Sequence, residues 1–363
     1  MNLDFIQKEI VESNEDKTVV LASAGSGKTK VLIDRINYLI DTGFNPSEIY
    51  AITFTNAAAD EMKIRLKSDQ VFVGTIHSLA NQILIANDFD TSDIIAREAY
   101  DELLEIFFNT DNYDYVYDIQ LPNIEYLLLD EAHDISKVEY AFIFSIIAPE
   151  KFFVVCDTKQ AIYGFRGSNF KQMNKLLKRK DVTVYEMNHN YRCGRAIVEF
   201  ASQFVEDMYD VFQQEVTTEY REGAVYSLND FNWKTIKNYL NNSKYGNYGD
   251  WFILCRTNSQ IDNVTMLLNK EQIPNITFKK GGLTSDELAS RMNANAVKVL
   301  TIHTSKGLQN KNVIVVGARQ FNDEEKRVCY VAATRAEDLL IWVKRDSGLN
   351  SLGAINSDGW GFI

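Results

Sequence analysis

The sequence predicts an α/β protein in which helices cover both faces of parallel β-sheets. Short apolar runs that fit buried strands alternate with amphipathic stretches that fit helices along most of the 363 residues. Polar and glycine-containing segments directly follow several of the apolar runs. In parallel sheets, binding and catalytic residues gather at the carboxyl ends of the strands, so these segments are the candidates for chemistry.

The first predicted unit is a strand, a tight loop and a helix. Val19–Leu21 is the apolar run, and an amphipathic helix follows the loop. The loop consists of Ala22, Ser23, Ala24, Gly25, Ser26, Gly27, Lys28 and Thr29. Backbone N–H groups at such a helix start bind phosphate oxygens, the lysine adds positive charge and the threonine hydroxyl can hold Mg²⁺. Alanine at the first position, where glycine is usual, is compatible if its φ is negative.

Further apolar runs deliver polar residues at their ends. The predicted strands are 49–54, 71–74, 126–129 and 152–156, and helices are predicted at 57–67 and 92–109. Asp130 and Glu131 directly follow the third of these strands. The aspartate fits a Mg²⁺ ligand and the glutamate fits a base for the attacking water. Two acids could merely cap a helix, but together with the phosphate loop they favour catalysis. Gln160 is positioned to contact the γ-phosphate.

A second alternating series begins near Thr183 and contains no second phosphate loop. Its predicted strands are 183–187, 224–228, 251–255, 297–302, 313–316 and 339–343, and its predicted helices are 194–209, 233–241, 259–271 and 323–336. We therefore expect two domains, 1–182 and 183–363, with a reduced helical insertion at about 80–122 of the first.

The composition of the chain limits how it could bind nucleic acid and in which cellular compartment we expect it. The formal charge of −12 excludes binding by a generally basic surface, so a local groove with stacking is needed. The basic stretch 171–180 is either a solvated helix face or a patch along a nucleic-acid backbone. No apolar run reaches the ~20 residues that cross a bilayer, and no secretion signal opens the chain. We expect a cytoplasmic protein without membrane contact, with four buried, reduced cysteines.

Eight motifs in order resemble those of the UvrD/Rep/PcrA group of superfamily 1 DNA helicases, from Gln7 to about Val343. They are the loop 24–29, Thr53–Asn56 with Ala58, Ala59, Glu61 and Met62, Thr75–Leu79, Asp130–Asp134, Gln160–Gly167, Asn190–Arg192, Thr301–Leu308 and Tyr330–Ala336. The resemblance implies two RecA-like P-loop domains with ATP and Mg²⁺ in the cleft between them.

The resemblance also implies roles for residues around the nucleotide. Gln7 would read the adenine edge and Tyr191 would stack on its face, while Lys30 replaces an arginine usual in the family. Gly307 and Gln309 fall in the motif that contacts the sugar. Gln309 stands where the family usually has a glutamate. Arg192 and Arg335 correspond to the arginines that contact the γ-phosphate, a contact worth about 10³–10⁵ in rate.

For the nucleic-acid side, the resemblance implies aromatic stacking against single-stranded bases and polar contacts to the backbone. Stacking is assigned to Phe54, Tyr163 and Phe165, the last where tryptophan is common, and backbone contacts to Asn56, Thr75, His77, Arg166 and His303. The two histidines lie too far apart in the motifs to indicate zinc.

The resemblance implies an ATP-dependent single-stranded DNA translocase and helicase moving 3′ to 5′, acting on single strands or tailed duplexes. His133 departs from a family position where glutamine is commoner. The chain is also short between His77 and Asp130 and between Arg256 and Thr301, where relatives carry inserted subdomains. Two alternatives stay open: a DNA-stimulated ATPase subunit that loads or regulates a partner supplying the missing function, and an RNA-directed enzyme.

Overall fold

The computed structural model describes residues 3–108, 119–164, 171–208, 216–218, 221–278 and 285–349. Within these residues the chain forms two compact units: the first runs to Met187 without Ser23–Ser26, and the second combines Ser23–Ser26 with the residues from Asn188 onwards. Each unit contains one six-stranded parallel sheet, which confirms the predicted α/β class.

The first sheet has the strand order β3-β2-β4-β5-β1-β6. Its strands are β1 (Lys17–Ala22), β2 (Ile49–Thr53), β3 (Phe72–Thr75), β4 (Tyr126–Leu129), β5 (Lys151–Cys156) and β6 (Thr183–Met187). Alternate residues enter two separate cores: Leu127 and Leu129 face one, Tyr126 and Leu128 the other. Burial on both faces explains why these strands read as continuous apolar runs.

The helices of the first unit pack on both faces of this sheet, with α2 in one core and α4 in the other. They are α1 (Phe5–Val11), α2 (Lys28–Asp41), α3 (Asn56–Arg65), α4 (Ile76–Ala86), α5 (Ser92–Ala96), α6 (Asp101–Glu105), α7 (Lys137–Ala141) and α8 (Lys171–Leu177). The single helix predicted over 92–109 is wrong. Glu98 has φ 54°, and Ala99 N–H donates to Ile94 O at 3.0 Å, a left-handed stop that separates α5 from α6.

The second sheet has the order β7-β12-β11-β8-β10-β9. Its strands are β7 (Ala224–Leu228), β8 (Trp251–Cys255), β9 (Asn275–Phe278), β10 (Val297–Thr301), β11 (Asn310–Val316) and β12 (Ala336–Val343). Its helices are α9 (Arg195–Ser202), α10 (Trp233–Leu240), α11 (Asn258–Lys270), α12 (Ser285–Asn293) and α13 (Asp323–Ala333).

Two edge strands correct the sequence interpretation. The segment 183–187 was assigned to the second series, but it is β6 and pairs with β1 from Thr18–Thr183 to Ala22–Met187. The strand β9 was missed. The strand 183–187 has the predicted bounds and only its sheet is wrong, because pairing partners depend on the whole sheet. The missed β9 is a partly exposed edge strand that lacks the continuous apolar run of a buried strand.

Two expectations from composition can be compared with the structure. All four cysteines are buried free thiols, as predicted. Over the parts of the chain that the structure describes, none of the helices combines the length and the apolar character that a bilayer crossing requires.

Candidate nucleotide and nucleic-acid sites

The phosphate loop has the backbone that its glycines predict. Gly25 and Gly27 lie in the left-handed region at φ 73° and 84°, which disfavours any residue with a Cβ. Ala22 ends β1 as an ordinary strand residue, so the alanine at the first position is tolerated as predicted. Ser26 Oγ donates to Ser23 O at 2.8 Å and braces the turn. Gly27 is the N-cap of α2, so the free N–H groups of a 14-residue helix begin here.

Lys28, Thr29 and Asp130 meet beside this helix start. Thr29 Oγ1 donates to Asp130 Oδ2 at 3.2 Å, and Lys28, largely buried, places Nζ 3.5 Å from Asp157 Oδ2. Burial, together with the neighbouring charge of Glu131, raises the pKa of Asp130 well above its usual range. A divalent cation at this carboxylate would offset both effects. The hydroxyl and carboxylate oxygens are hard donors of the kind that Mg²⁺ prefers, so the residues present fit the ion.

Glu131 leaves β4 in a strained backbone conformation. Its φ and ψ are 50° and 37°, in the left-handed region that a residue with a Cβ enters at a cost of about 1–2 kcal/mol. Glu131 N–H donates to Asp130 Oδ1 at 2.9 Å, which tightens the turn. Strain of this kind persists where the surrounding structure holds a functional side chain in place.

Asp157, which has no predicted role, contacts several residues of this site. Its Oδ2 accepts a hydrogen bond from Gln160 Nε2 at 2.6 Å and is the same atom that faces Lys28. The signal that could have found it is the order of the strands. Because β5 lies between β4 and β1, the residue after β5 must stand between the acids after β4 and the loop after β1.

Two further residues predicted to contact the nucleotide, Gln7 and Lys30, lie in α1 and α2. Gln7 is buried, and a Cβ built on Gly27 would lie 3.0 Å from Gln7 Nε2, so its amide adjoins the loop. Gln7 is also part of a capping box with Asp4 at the start of α1. Lys30 forms an ion pair along α2 with Asp34, with Nζ and Oδ2 2.7 Å apart.

In the second unit, the two predicted arginines meet at Thr334. Arg335 is 1% exposed, and its guanidinium donates to Val331 O, Leu308 O and Thr334 Oγ1 at 3.0–3.2 Å. Arg192 Nη1 lies 3.4 Å from Thr334 O. Burial raises the pKa of the Cys193 thiol. The positive charges of Arg192 and Arg335 lower it in part, because both arginines lie near this thiol.

The residues of the second unit that are predicted to contact the sugar and the base are Gly307, Gln309 and Tyr191. Gly307 has φ 83°, which glycine favours, and Arg335 contacts the carbonyl of the following Leu308. Gln309 is exposed and its amide donates to Glu337 Oε1 at 3.0 Å. Tyr191 is half-buried, with its ring centroid 4.4 Å from that of His189.

Among the predicted nucleic-acid residues, the structure brings one pair together. Phe54 follows β2, Tyr163 follows β5, and their half-buried rings are stacked at 5.1 Å and 23°. Asn56 is exposed at the start of α3. Phe165 and Arg166 lie outside the described residues.

The remaining candidates have structural partners or neighbours. Thr75 caps α4 through a hydrogen bond from Ser78 N–H, and His77 Nε2 lies 3.2 Å from Asp101 Oδ1 of α6. His303 is half-buried in the turn after β10. In the basic stretch 171–180, Arg179 pairs with Asp181, which neutralises part of its charge.

The parallel sheets, the glycine loop at a helix start and the acids after the neighbouring strands define a P-loop nucleotide-binding protein. Comparison with known proteins identifies the particular kind. Residues 3–107 and 99–181 match the UvrD/REP helicase N-terminal domain, and residues 278–346 match the UvrD-like helicase C-terminal domain. The chain belongs to the UvrD-like helicase family.

Several curated proteins resemble this chain over most of its length. ATP-dependent DNA helicase Rep of Buchnera aphidicola is 27% identical across 79% of this chain and 59% of its own length. DNA helicase II of Haemophilus influenzae is 26% identical across 74% and 50%, and ATP-dependent DNA helicase PcrA of Leuconostoc citreum 27% across 74% and 48%. The chain spans about half the length of these relatives.

Proposed function

We propose that this chain is an ATP- and Mg²⁺-dependent DNA translocase and helicase. The observation that carries the proposal is the meeting of Thr29 and Asp130, 3.2 Å apart, beside Lys28 at the helix start. These are the groups that bind a nucleoside triphosphate and its metal ion in P-loop proteins. The names of the relatives support DNA as the substrate, and the 3′ to 5′ direction rests on family resemblance.

Each residue has a task in this proposal. Thr29 and Asp130 hold Mg²⁺, Lys28 and the loop N–H groups bind phosphate oxygens, and Glu131 takes the proton of the attacking water. Bound Mg²⁺ neutralises charge on the phosphates and so lowers the barrier to their transfer. Asp157 Oδ2 contacts both Lys28 and Gln160. A change at the phosphates that moves one of these two side chains should therefore also shift the other.

The second unit supplies the remaining nucleotide contacts. We assign Arg192 and Arg335 to the γ-phosphate, Tyr191 and Gln7 to the adenine, and Gln309 with Gly307 to the sugar. Arg335 suits this task because three hydrogen bonds to its own unit fix the guanidinium. A group that is already oriented stabilises a transition state without a further cost of ordering.

The stacked rings of Phe54 and Tyr163 are the proposed platform for single-stranded bases. Every base has an aromatic face, so stacking tolerates any sequence, as a translocating enzyme requires. Asn56, Thr75, His77 and His303, with Phe165 and Arg166, are assigned to the rest of the strand. Such a platform also suits a protein of net charge −12, because it does not depend on a basic surface.

The proposal is tested by ATP turnover with and without single-stranded DNA, followed by displacement of tailed duplexes at low salt. We expect strong stimulation by DNA and displacement of a 3′-tailed but not a 5′-tailed duplex. Absence of ATP turnover under all conditions contradicts the proposal. Stimulation by single-stranded RNA but not by DNA would instead select the RNA-directed enzyme.

A second candidate is a DNA-stimulated ATPase subunit that loads or regulates a partner without unwinding. One observation favours it: where relatives carry inserted subdomains, the described residues between α4 and β4 contain only the short helices α5 and α6. In the tailed-duplex assay this candidate predicts stimulation without displacement. Strand displacement that appears only when a partner protein is added would show that the partner supplies the unwinding function.

A further inference from the structure

His133 is a buried residue of the acidic motif that the proposed chemistry does not use. It lies in the short 3₁₀ turn Ala132–Asp134 that follows β4, and it is 1% exposed. Its Nδ1 accepts a hydrogen bond from the backbone N–H of Asp157 at 3.0 Å. The imidazole thus connects the turn after β4 with the end of β5.

This hydrogen bond fixes the tautomer of His133. An imidazole nitrogen that accepts a hydrogen bond carries no proton, so the proton is on Nε2. Nε2 lies 3.2 Å from Glu131 Oε2 and 3.8 Å from Asp134 Oδ2. Nε2 of the neutral ring therefore lies beside the carboxylate that the proposed function uses as the base, in a close polar contact that is not aligned as a hydrogen bond.

We propose that His133 is a positioning residue that orients Glu131 for the attack of water, an inference that rests on the proposed function. Glu131 leaves β4 with a left-handed backbone, so its chain path alone does not fix the carboxylate. His133 accepts a hydrogen bond from Asp157 N–H and places Nε2 3.2 Å from that carboxylate, and the Asp157 side chain contacts Lys28 and Gln160. The Glu131 carboxylate thereby keeps a defined position relative to the residues that are proposed to bind the phosphates.

A metal site made by the same side chains is the competing interpretation. The ligand atoms of Glu131, His133 and Asp134 lie within 4.8 Å of one another. However, an imidazole binds a metal through a nitrogen lone pair, and Nδ1 already accepts from Asp157. Nε2 can become a ligand only if the proton moves to Nδ1, which would break that hydrogen bond. The geometry therefore favours positioning over coordination.

The chemistry of the side chain predicts which substitution is tolerated. Glutamine carries an acceptor oxygen and donor N–H groups on one amide, so it can accept from the Asp157 N–H and donate towards Glu131. Leucine fills a similar volume but can do neither. Glutamine is also the residue that resembling proteins more commonly have at this position, which makes His133→Gln the matched control for His133→Leu.

The test compares kcat and KM for ATP in His133→Leu and His133→Gln, each alone and combined with Glu131→Gln, in single-turnover and steady-state assays. We expect His133→Leu to lower kcat 10- to 100-fold with KM changed less than threefold, and His133→Gln to stay within threefold in both. In the Glu131→Gln background, His133→Leu should have no further effect, because it acts through that carboxylate.

Several results would overturn the inference. One is a His133→Leu protein that binds nucleotide normally and turns it over at the wild-type rate. Another is a His133→Gln protein whose kcat falls tenfold or more, a result that stands even if the leucine variant does not fold. A third is a full additional loss in the Glu131→Gln background. Tight binding of added Zn²⁺ that depends on His133 would support the metal site instead. Absence of turnover in the wild type would contradict the proposed function itself, which is a different outcome.

Discussion

Thr29 Oγ1 and Asp130 Oδ2 lie 3.2 Å apart, so two groups from separate strand ends of the first sheet already meet where a Mg²⁺ ion is proposed to bind. The fold alone brings these two groups together, because β1 and β4 are separated in the sheet only by β5.

Removing the hydroxyl should weaken the ion site. For Thr29→Ala we expect the Mg²⁺ concentration for half-maximal ATP turnover to rise about tenfold or more, because one oxygen donor is lost. Thr29→Ser keeps the oxygen and is the control, expected to stay close to wild type. Turnover measured over a Mg²⁺ titration at fixed ATP checks this. Equal Mg²⁺ requirements for Thr29→Ala and Thr29→Ser would remove Thr29 from the site.

Glu131 offers a comparison of strain with chemistry. Both Glu131→Gln and Glu131→Asn remove the carboxylate and should bind ATP but turn it over very slowly. Only asparagine readily adopts the left-handed backbone at φ 50°, so its free energy of unfolding should exceed that of the glutamine variant by about 1 kcal/mol. Urea denaturation of the two variants measures the difference. Equal stability would mean that this backbone carries no strain, and near-normal turnover would remove Glu131 from its role.

The stacked pair Phe54 and Tyr163 should act on DNA more than on basal hydrolysis. For Phe54→Ala and Tyr163→Ala we expect single-stranded DNA to bind about 5- to 150-fold more weakly, the equivalent of about 1–3 kcal/mol per stacked base. Tyr163→Phe keeps the ring and should bind almost normally. Oligonucleotide binding and DNA-stimulated turnover check this. A similar loss of basal turnover and of stimulation would show that the rings are structural.

Gln309 explains one departure from the family. Its amide donates to Glu337 Oε1 at 3.0 Å, so the glutamate usual at this position would place two carboxylates together. We expect Gln309→Glu to lower the free energy of unfolding by up to about 1 kcal/mol at low salt, and less in high salt. Adding Glu337→Gln should restore it. A Gln309→Glu protein as stable as wild type at low salt would contradict this explanation.

Much of the fold follows from the sequence because buried parallel strands carry continuous apolar runs. Buried segments such as 126–129 and 251–255 have in the structure the bounds that the sequence predicted. The sheet to which β6 belongs does not follow, because pairing partners are set by the whole sheet. The strand β9 does not follow, because this half-exposed strand lacks the apolar run. The helix break at Glu98 was also not predictable, because the left-handed residue that ends α5 is a glutamate and not the glycine that usually marks such a position.

The proximity of residues that belong to motifs could be predicted from the sequence, whereas contacts made through a neighbouring residue could not. Lys28, Thr29 and Asp130 meet as the motifs indicate. Asp157 was missed because a lone acid after a strand has no distinctive spacing, and its role depends on the order of strands. The hydrogen bond from the Asp157 backbone to His133 could not be predicted, because it depends on tertiary structure that spacing along the chain does not encode.

The most direct test of the central claim is ATP turnover measured on oligo(dT) of increasing length, with Glu131→Gln as the inactive control. An enzyme that moves along a strand and leaves at its end hydrolyses more ATP per binding event on a longer strand. We therefore expect turnover at saturating DNA to rise with length until it reaches a plateau. Turnover that is independent of DNA, or stimulated equally by a strand just long enough to bind and by one many times longer, would contradict translocation.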